Sequence, residues 1–279
     1  MADSDWKECL PFAGKWHTTP DGHRMHYVDE GAAHVPVVVV GGIVGWTYHF
    51  RNLIAALQEY GFRVIAVDNL GCGLSDKPKE YGYSLEGHIK NLSSLLDGTL
   101  KIPPFHLVAQ GYGIATALGY ASRNPGLVRK IVLLNAISPI DAPPAGALSC
   151  FVKPLLWEKS CLAVRRMPVR GTLFPLDPIV RRSLVAPYLH RASRSRLLDV
   201  ISSLEGTPEA FERFAKRLAD TRMICIQGRK DKLLSKRRSV EYTKRLLPNS
   251  LTLTFPEAGH YLLEDLPEEV IPLIANFLF

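Results

Sequence analysis

A chain of 279 residues with 47% hydrophobic residues is long enough to bury one large core, so we expect one domain rather than two unrelated ones. Its 34 Lys and Arg residues exceed its 27 Asp and Glu residues, which gives a formal net charge of +7. The basic residues are spread along the chain, with an excess between Lys153 and Arg196, and no nucleic-acid-binding module accompanies them, so we expect no nucleic-acid partner.

The sequence also suggests which other partners the protein has and in which cellular compartment it works. An anionic substrate or an acidic carrier protein stays open as an explanation of the basic excess. No stretch approaches the roughly 20 apolar residues that cross a bilayer, and the N-terminal residues lack the features of a signal peptide, so we expect a cytoplasmic protein without a membrane partner. The cysteines are scattered and form no CxxC pair, which predicts free thiols and neither a metal site nor a bound cofactor. They are Cys9, Cys72, Cys150, Cys161 and Cys225.

Short apolar runs rich in β-branched residues recur along the chain and predict buried strands. The first, residues 35–40 (V-P-V-V-V-V), is followed by two glycines and is typical of a strand buried on both faces of a parallel sheet. Similar runs occupy residues 62–67, 105–109, 130–134, 222–226 and 250–255. Helical patterns lie between most of them, at residues 49–60, 85–96 and 114–123. Strands that alternate with helices predict a parallel sheet covered by helices on both faces.

The alternation stops between residues 138 and 214, where helical pieces rich in Pro, Arg and Leu follow one another without a strand-like run. We predict that residues 1–137 and 215–279 form the α/β core and that residues 138–214 form a helical lid inserted in it. Such an insertion would lie above the carboxyl ends of the strands, where open α/β sheets bind ligands.

Residues 68–78 read D-N-L-G-C-G-L-S-D-K-P and carry the most specific pattern in the chain. This pattern is similar to the loop after the fourth strand in the α/β-hydrolase family, in its branch of haloalkane dehalogenases and epoxide hydrolases. Residues 48–57, 123–125 with Val128, and 259–265 resemble the first helix of that branch, the end of its nucleophile helix and its catalytic histidine loop. The resemblance implies an α/β-hydrolase fold with a mostly parallel sheet of about eight strands, flanked by helices and carrying a helical lid.

The family carries its catalytic nucleophile in a G-x-S-x-G or G-x-D-x-G elbow, a strained strand-to-helix turn. The matching stretch is residues 109–113 (A-Q-G-Y-G), so the resemblance places Gly111 at the nucleophile's position. Glycine has no side chain, which implies that neither an acyl-enzyme nor an alkyl-enzyme ester forms there. Losing the nucleophile of a triad costs about six orders of magnitude in turnover. Glycine also tolerates the unusual backbone angles of the elbow.

The resemblance also assigns a retained acid and base. Asp231 follows the strand predicted at residues 222–226, where the family places its catalytic acid, and His260 occupies the histidine position. The alternative acid position, after the sixth strand, is Asn135. A carboxylate bonded to one imidazole nitrogen fixes the tautomer and leaves the other nitrogen for proton transfer. A working dyad and a relic of ancestry are both consistent with this pair.

The oxyanion hole of this fold uses backbone N–H groups from the residue after the nucleophile and from the loop after the third strand. By resemblance these residues are Tyr112 and Ile43. The loop reads Gly41-Gly42-Ile43 where dehalogenases carry His-Gly-Asn, and the loss of that Asn argues against dehalogenation. The Tyr112 hydroxyl is a candidate hydrogen-bond donor or acid, and a packing role for its ring is an equal alternative.

Further residues are candidates for the substrate pocket. Four aromatic residues either supply apolar surface to the pocket and the lid or belong to the core. They are Trp46, Tyr48, Trp157 and Phe174. Cys72 is an alternative nucleophile, but it lies in the loop at residues 68–78 rather than in the elbow. The predicted substrate-binding residues are Gly42, Ile43, Trp46, Gly111, Asn135 and Trp157.

Two classes of function follow. The first is an enzyme of specialised metabolism that binds a largely apolar small molecule under the lid and uses His260, oriented by Asp231, for proton transfer without a covalent intermediate. Cyclisation, elimination, isomerisation and decarboxylation fit, and glycine at position 111 leaves room for a bulky substrate. A variant keeps hydrolysis, with His260 activating water directly. The second class is a receptor or binding protein that uses the pocket and the lid, with the dyad left from ancestry.

Overall fold

The computed structural model describes residues 10–42, 45–136, 161–202, 207–232 and 236–279. Within this part of the chain, an eight-stranded sheet forms the centre of the molecule. Its strands, in chain order, are Lys15–Thr18 (β1), Arg24–Glu30 (β2), Pro36–Val40 (β3), Arg63–Val67 (β4), Phe105–Gln110 (β5), Val128–Leu134 (β6), Arg222–Gly228 (β7) and Leu251–Phe255 (β8).

The order of the strands brings several loops to one edge of the sheet. The order is β1-β2-β4-β3-β5-β6-β7-β8, in which β1 and β2 are antiparallel to their neighbours and the other pairs are parallel. Val40 pairs with Ala109, and Gln110 pairs with Leu134, which in turn pairs with Ile226. The carboxyl ends of β3, β5, β6 and β7 are therefore level, and the residues that follow them meet where α/β sheets bind ligands.

Helices cover both faces of the sheet. Three shorter segments differ from the α-helical pattern: the 3-10 helices Thr47–Phe50 and Ala186–Tyr188, and the π-helical segment Ser94–Thr99. The α-helices of the described residues are Arg51–Glu59 (α1), Leu85–Ser93 (α2), Gly113–Arg123 (α3), Leu162–Gly171 (α4), Pro178–Val185 (α5), Arg191–Ser202 (α6), Thr207–Arg217 (α7), Lys236–Leu246 (α8), Leu262–Asp265 (α9) and Pro267–Leu278 (α10).

The valines of β3 show how the core divides between the two faces. Side chains of a strand alternate, so Val37 and Val39 face one side of the sheet while Val38 and Val40 face the other, and all four are fully buried. The first pair belongs to a cluster with side chains of α1 and α10, and the second to a cluster with side chains of α2 and α3. Burial on both faces is the reason that this strand reads as an unbroken apolar run.

The predicted strands and helices are confirmed. Each of the six predicted strands begins and ends within two residues of an observed one, and the three helical patterns correspond to α1, α2 and α3 with the short segments that adjoin them. Two strands have no counterpart in the prediction. β1 has a single buried residue, His17, and β2 places His26 and Asp29 among its apolar side chains, so neither forms an apolar run.

The described part of the predicted lid is helical. Residues 161–202 and 207–214 contain α4, α5, α6 and most of α7, and no strand. α7 packs against α3, where the Phe214 ring lies beside Gly119. The boundaries of the lid stay a prediction, and residues 138–160 and 203–206 lie outside the described residues. No helix in the described ranges is long and apolar enough to cross a bilayer.

Candidate functional site

The turn between β5 and α3 lies at the carboxyl edge of the sheet and has Gly111 at its apex. Gly111 has a φ of 55°, in the left-handed region that glycine adopts without a Cβ penalty. Its N–H donates to the carbonyl of Leu134 over 3.2 Å, which extends the pairing of β5 with β6 into the turn. A Cβ on Gly113 would collide with the carbonyl oxygen of Gly41, so α3 approaches the loop after β3 closely because residue 113 is glycine.

The loop after β3 runs beside this turn. A Cβ on Gly42 would lie 3.3 Å from the carbonyl oxygen of Gln110 and 3.5 Å from the amide nitrogen of Tyr112. The backbone N–H of Tyr112 donates to no carbonyl within the described ranges. This N–H is a donor of the kind that an oxyanion hole requires, and its use in one stays a prediction. The second predicted donor, Ile43, lies outside the described residues.

His260 and Asp231 meet at the same edge of the sheet. Nδ1 of His260 lies 2.9 Å from Oδ2 of Asp231, which follows β7 and is buried. The side chain of His260 is 17% exposed, so the ring can reach a ligand while the carboxylate is enclosed by protein. With Asp231 at Nδ1, Nε2 is the nitrogen left to accept or donate a proton. The structure thus brings the two predicted residues together, and their catalytic use stays a prediction.

Two side chains from neighbouring strands fix the main chain of His260. Nε2 of Gln110 donates to the carbonyl of His260 over 3.0 Å, and Nδ2 of Asn135 donates to the same oxygen over 2.6 Å. Gln110 directly precedes Gly111, so the residue next to the apex of the elbow also binds the histidine loop. Gln110 was not a predicted site residue, because its role depends on a partner 150 residues away in the sequence.

Asn135, which we predicted to bind substrate, has its side-chain amide engaged with the protein. Nδ2 also donates to the carbonyl of Gly259 over 3.2 Å, and Oδ1 accepts from the N–H of Gly228 over 2.8 Å. Asn135 is buried and has a φ of 44°, a conformation that asparagine tolerates better than most residues. These bonds tie the end of β6 to β7 and to the histidine loop, which is the work of a positioning residue. A contact with substrate stays a prediction.

The lid helix α4 ends against the histidine loop. The carbonyl of Gly171, the last residue of α4, accepts from the N–H groups of His260 over 2.7 Å and of Tyr261 over 3.1 Å. The carboxylate of Asp265 accepts from the N–H groups of Gly259 and Leu173, each over 2.7 Å. A displacement of α4 would therefore displace the loop that carries His260.

Trp46, a predicted pocket residue, anchors another lid helix. It is fully buried, and its indole Nε1–H donates to the carbonyls of Ser183 and Leu184 in α5, over 3.1 and 3.2 Å. Its ring stacks on Tyr48 with 5.5 Å between centroids. Trp46 therefore joins the core to the lid, and Tyr48 packs against its ring. Trp157, the second predicted tryptophan, lies outside the described residues.

A small cavity of about 20 Å³ lies beside the elbow. Among the residues that line it are Gly42, Asn69, Cys72, His88, Tyr112 and Thr116. His88 is buried, and neither of its ring nitrogens has a hydrogen-bond partner in the described part of the chain. Burial lowers the pKa of His88 to about 4, so the ring is neutral at physiological pH. No motif marks His88; its only signal in the sequence is a polar residue on the buried face of a helix.

Two protic groups at this cavity differ in what they can do. Burial raises the pKa of Tyr112, so its hydroxyl stays protonated and is a hydrogen-bond donor at neutral pH. Burial also raises the pKa of Cys72 to about 12. The thiolate is the nucleophilic form of cysteine, so Cys72 is poorly suited to act as a nucleophile.

A second histidine–aspartate pair provides a comparison. Nδ1 of His26 lies 2.9 Å from Oδ2 of Asp68, and neither side chain is exposed. The Asp68 carboxylate also accepts from the N–H groups of Thr47 over 2.7 Å and of Leu74 over 3.0 Å. This pair holds β2 to the loop at residues 68–78 and has no access to a ligand. Exposure therefore distinguishes His260, with Asp231, from a structural pair of the same chemistry.

Other parts of the described structure offer no competing site chemistry. Among the described residues, no group of three or more His, Cys, Asp or Glu side chains is placed to hold a metal ion. Two larger surface clefts, of about 360 and 580 Å³, lie between α7 and α8 and between α2 and α3. Neither contains a residue of the predicted site.

The fold and sequence together define the class of the protein. The family profile described as alpha/beta hydrolase fold matches residues 35–154. A cis-3-alkyl-4-alkyloxetan-2-one decarboxylase of Shewanella oneidensis is 30% identical, over 96% of this chain and 89% of the relative. The chain belongs to the α/β-hydrolase family.

Other relatives and solved structures are also similar to this chain, and the structures show the shared fold. A decarboxylase of the same description from Xanthomonas campestris is 29% identical over 92% of this chain and 93% of its own length. Haloalkane dehalogenase 2 of Mycobacterium tuberculosis is 25% identical over 96% and 95% of the two chains. A haloalkane dehalogenase of Agrobacterium tumefaciens has a TM-score of 0.80 at 24% identity, covering 95% of this chain and 96% of its own. The Cif epoxide hydrolase of Acinetobacter nosocomialis has a TM-score of 0.83 at 17% identity, covering 100% and 97%.

Proposed function

We propose that this protein is a lyase that decarboxylates a largely apolar lactone of the cis-3,4-dialkyl-oxetan-2-one class without a covalent intermediate. The observation that carries the proposal is Gly111, which we assign to the position of the family's nucleophile and which offers only backbone to a ligand. His260, oriented by Asp231, lies at the same edge of the sheet, where its ring can donate a hydrogen bond. The relatives named as oxetanone decarboxylases favour this reaction over cyclisation, elimination and isomerisation.

Decarboxylation of a four-membered lactone needs no nucleophile in its atom balance. The bond from the ring oxygen to C4 breaks with its electron pair on oxygen, and the bond between C2 and C3 breaks with its pair forming the C3=C4 alkene. C2 then leaves with both oxygens as CO₂. No atom is added and no proton is consumed. A site that stabilises the charge developing during ring opening is therefore sufficient.

Negative charge develops on the departing carboxylate as the bond from oxygen to C4 lengthens. We assign its stabilisation to the backbone N–H of Tyr112 and to a hydrogen bond from Nε2–H of His260, whose ring Asp231 orients through Nδ1. The Tyr112 hydroxyl is a third donor at the same turn. Removing one preorganised donor from such a site typically costs about 3 kcal/mol in the barrier. Donors of this kind replace, in this proposal, the covalent step that Gly111 cannot provide.

The test is incubation of the purified protein with a cis-3,4-dialkyl-oxetan-2-one in ¹⁸O-labelled water. We expect the alkene and CO₂ as products and no 3-hydroxy acid derived from the lactone. Intact-protein mass spectrometry should detect no covalent adduct. A 3-hydroxy acid that carries ¹⁸O would identify a hydrolase in which His260 activates water, and would overturn the lyase proposal. Saturable binding of the lactone without either product would favour the receptor alternative.

Variants connect the activity to the site. His260→Ala should lower alkene formation by about 100-fold or more if the histidine is used in acid–base or electrostatic catalysis. His34→Ala removes an exposed histidine far from the elbow in the sequence and is the matched control. Unchanged turnover in His260→Ala would leave the Tyr112 donors and confinement as the sources of catalysis and would contradict the role of the dyad.

A further inference from the structure

One face of the lid helix α4 exposes aliphatic and basic side chains together. Leu162 and Val169 lie seven residues apart, so they share a face of the helix, and they are 59% and 54% exposed. Arg165 and Arg166 lie between them at helical spacing and are also exposed, as is Arg170 in the last turn. The solvent-facing side of this helix is therefore neither polar throughout nor a buried apolar stripe.

The same character continues beyond α4. Phe174, in the connection to α5, and Ile179, in the first turn of α5, are each 51% exposed, and Arg181 beside them is exposed. Four of the eight large hydrophobic side chains that the described structure exposes thus fall between residues 162 and 179. We call this set of exposed residues the α4–α5 face: Leu162, Arg165, Arg166, Val169, Arg170, Phe174, Ile179 and Arg181.

The α4–α5 face contains four arginines, none of which has a carboxylate partner in the part of the chain that the structure describes. Residues 161–185 contain five arginines and one acidic residue, Asp177. Asp177 caps α5, where its Oδ1 accepts from the N–H of Ile179 over 2.7 Å. Among the described residues, Arg165, Arg166 and Arg170 have no carboxylate partner. As far as the described residues go, their guanidinium groups are available to an anion from outside the protein.

We propose that the α4–α5 face docks on the surface of a membrane that contains anionic phospholipids. The arginines bind lipid phosphates, and the exposed Leu, Val, Phe and Ile side chains enter the boundary between headgroups and acyl chains. This mode of binding needs no membrane-spanning helix. It is an alternative to the expectation from the sequence that the protein has no membrane partner.

The arrangement favours a membrane over an acidic carrier protein. A protein interface collects its apolar residues at the centre and its charges at the rim. On α4 the arginines and aliphatic residues instead alternate along one face, so phosphate-binding and apolar groups are presented together. In a membrane interface the phosphates lie just above the acyl chains, so the longer Arg side chains can reach phosphates while the shorter Leu and Val side chains on the same face enter the boundary below them.

Docking at this face connects to the histidine loop. Gly171 ends α4 and accepts from the N–H groups of His260 and Tyr261. A membrane that holds α4 therefore also holds the loop next to the site, and it presents the lid to molecules dissolved in the lipid. The proposal does not depend on the lactone chemistry, because docking is measured without substrate.

The experiment is sedimentation of the purified chain with vesicles of phosphatidylcholine alone and of phosphatidylcholine mixed with phosphatidylglycerol. We expect binding to the mixed vesicles, weakening as salt rises, and little binding to the neutral ones. The triple variant Arg165→Glu, Arg166→Glu, Arg170→Glu should weaken binding by about 100-fold, since each basic residue near an anionic surface contributes about one factor of five. Phe174→Trp should give a blue-shifted fluorescence on the mixed vesicles only.

The matched control is the triple variant Lys216→Glu, Arg217→Glu, Lys244→Glu, which makes the same change in net charge on exposed positions of α7 and α8. It should bind the mixed vesicles nearly as well as the wild type. If both triple variants lost vesicle binding equally, binding would depend on net charge alone. That result would contradict docking through the α4–α5 face. Equal binding of the wild type to neutral and anionic vesicles, or binding to neither, would also contradict the docking proposal. Melting temperatures check that each variant is folded.

Discussion

The side chain of Gln110 donates its Nε2–H to the main-chain carbonyl of His260 over 3.0 Å, one residue before the apex of the elbow. Gln110 is the last residue of β5, so the strand that leads to Gly111 also holds the histidine loop. The position of His260 relative to the elbow is therefore set by a contact in which the side chain of residue 111 takes no part. The chemistry at position 111 can change while the histidine stays in place.

Gln110→Leu should lower the free energy of unfolding by about 1 kcal/mol, because His260 loses one donor to its carbonyl but keeps the bond from Asn135. It should also lower turnover, since the histidine loop is held less firmly. Chemical denaturation and alkene formation measure the two effects. Gln227→Leu is the control: Gln227 is buried on β7, but its Nε2 has no partner within the described residues, so no hydrogen bond is lost. Equal effects in the two variants would contradict the positioning role.

Asp231→Asn should lower turnover by roughly 10² to 10⁴-fold, because an amide neither fixes the His260 tautomer nor stabilises the protonated ring as a carboxylate does. The stability should change little, since the side chain keeps its size. Steady-state kinetics on the lactone and thermal melting check the two statements.

The buried pair of His26 and Asp68 provides the opposite pattern. Asp68→Asn should lower the free energy of unfolding by about 2–4 kcal/mol, because the carboxylate accepts three hydrogen bonds in a site without exposure. Any folded fraction should turn over at the wild-type rate. If Asp231→Asn lost only stability and Asp68→Asn only activity, the assignment of the two pairs would be reversed.

Gly111→Ser should lower the free energy of unfolding by roughly 1 kcal/mol, because a φ of 55° is unfavourable for a residue with a Cβ. If residue 111 holds the nucleophile's position, the new hydroxyl should open the lactone and give an acyl adduct that intact mass spectrometry detects, at the expense of alkene. Gly98→Ser is the control, because Gly98 has negative φ and open space at its Cβ, and it should neither form an adduct nor lose stability. A Gly111→Ser protein that makes alkene at the wild-type rate would argue against ligand binding at the elbow.

His88→Leu should make the protein less sensitive to acid. The pKa of His88 falls from the usual 6.5 to about 4 on burial, so the unfolded chain binds a proton there that the folded protein does not between these pH values. Stability from this residue is therefore present above pH 6.5 and is lost as the pH falls toward 4, by about 3 kcal/mol in total. Denaturation at a series of pH values should show a shallower decline in His88→Leu than in the wild type. Parallel declines would mean that the His88 ring titrates normally in the folded protein.

The strands were predictable because their signal is local. A strand buried on both faces, such as β3, must be apolar at every position, and the prediction matched its bounds within one residue. β1 and β2 were not predicted, for the converse reason. The buried polar residues of β2, such as His26, are acceptable only because Asp68 of a distant loop compensates them, and no local pattern reports a distant partner.

The sequence by itself determined the alternation of strands and helices and the resemblance of residues 68–78, 109–113 and 259–265 to a known family, since periodicity and short motifs are properties of neighbouring residues. Only the tertiary structure decided which polar groups serve the fold and which face a ligand. It assigned the amide of Asn135 to three backbone groups and the indole of Trp46 to the lid, and it left the ring of His260 partly exposed. The reason is that a buried polar group is satisfied by partners that chain packing brings from far along the sequence.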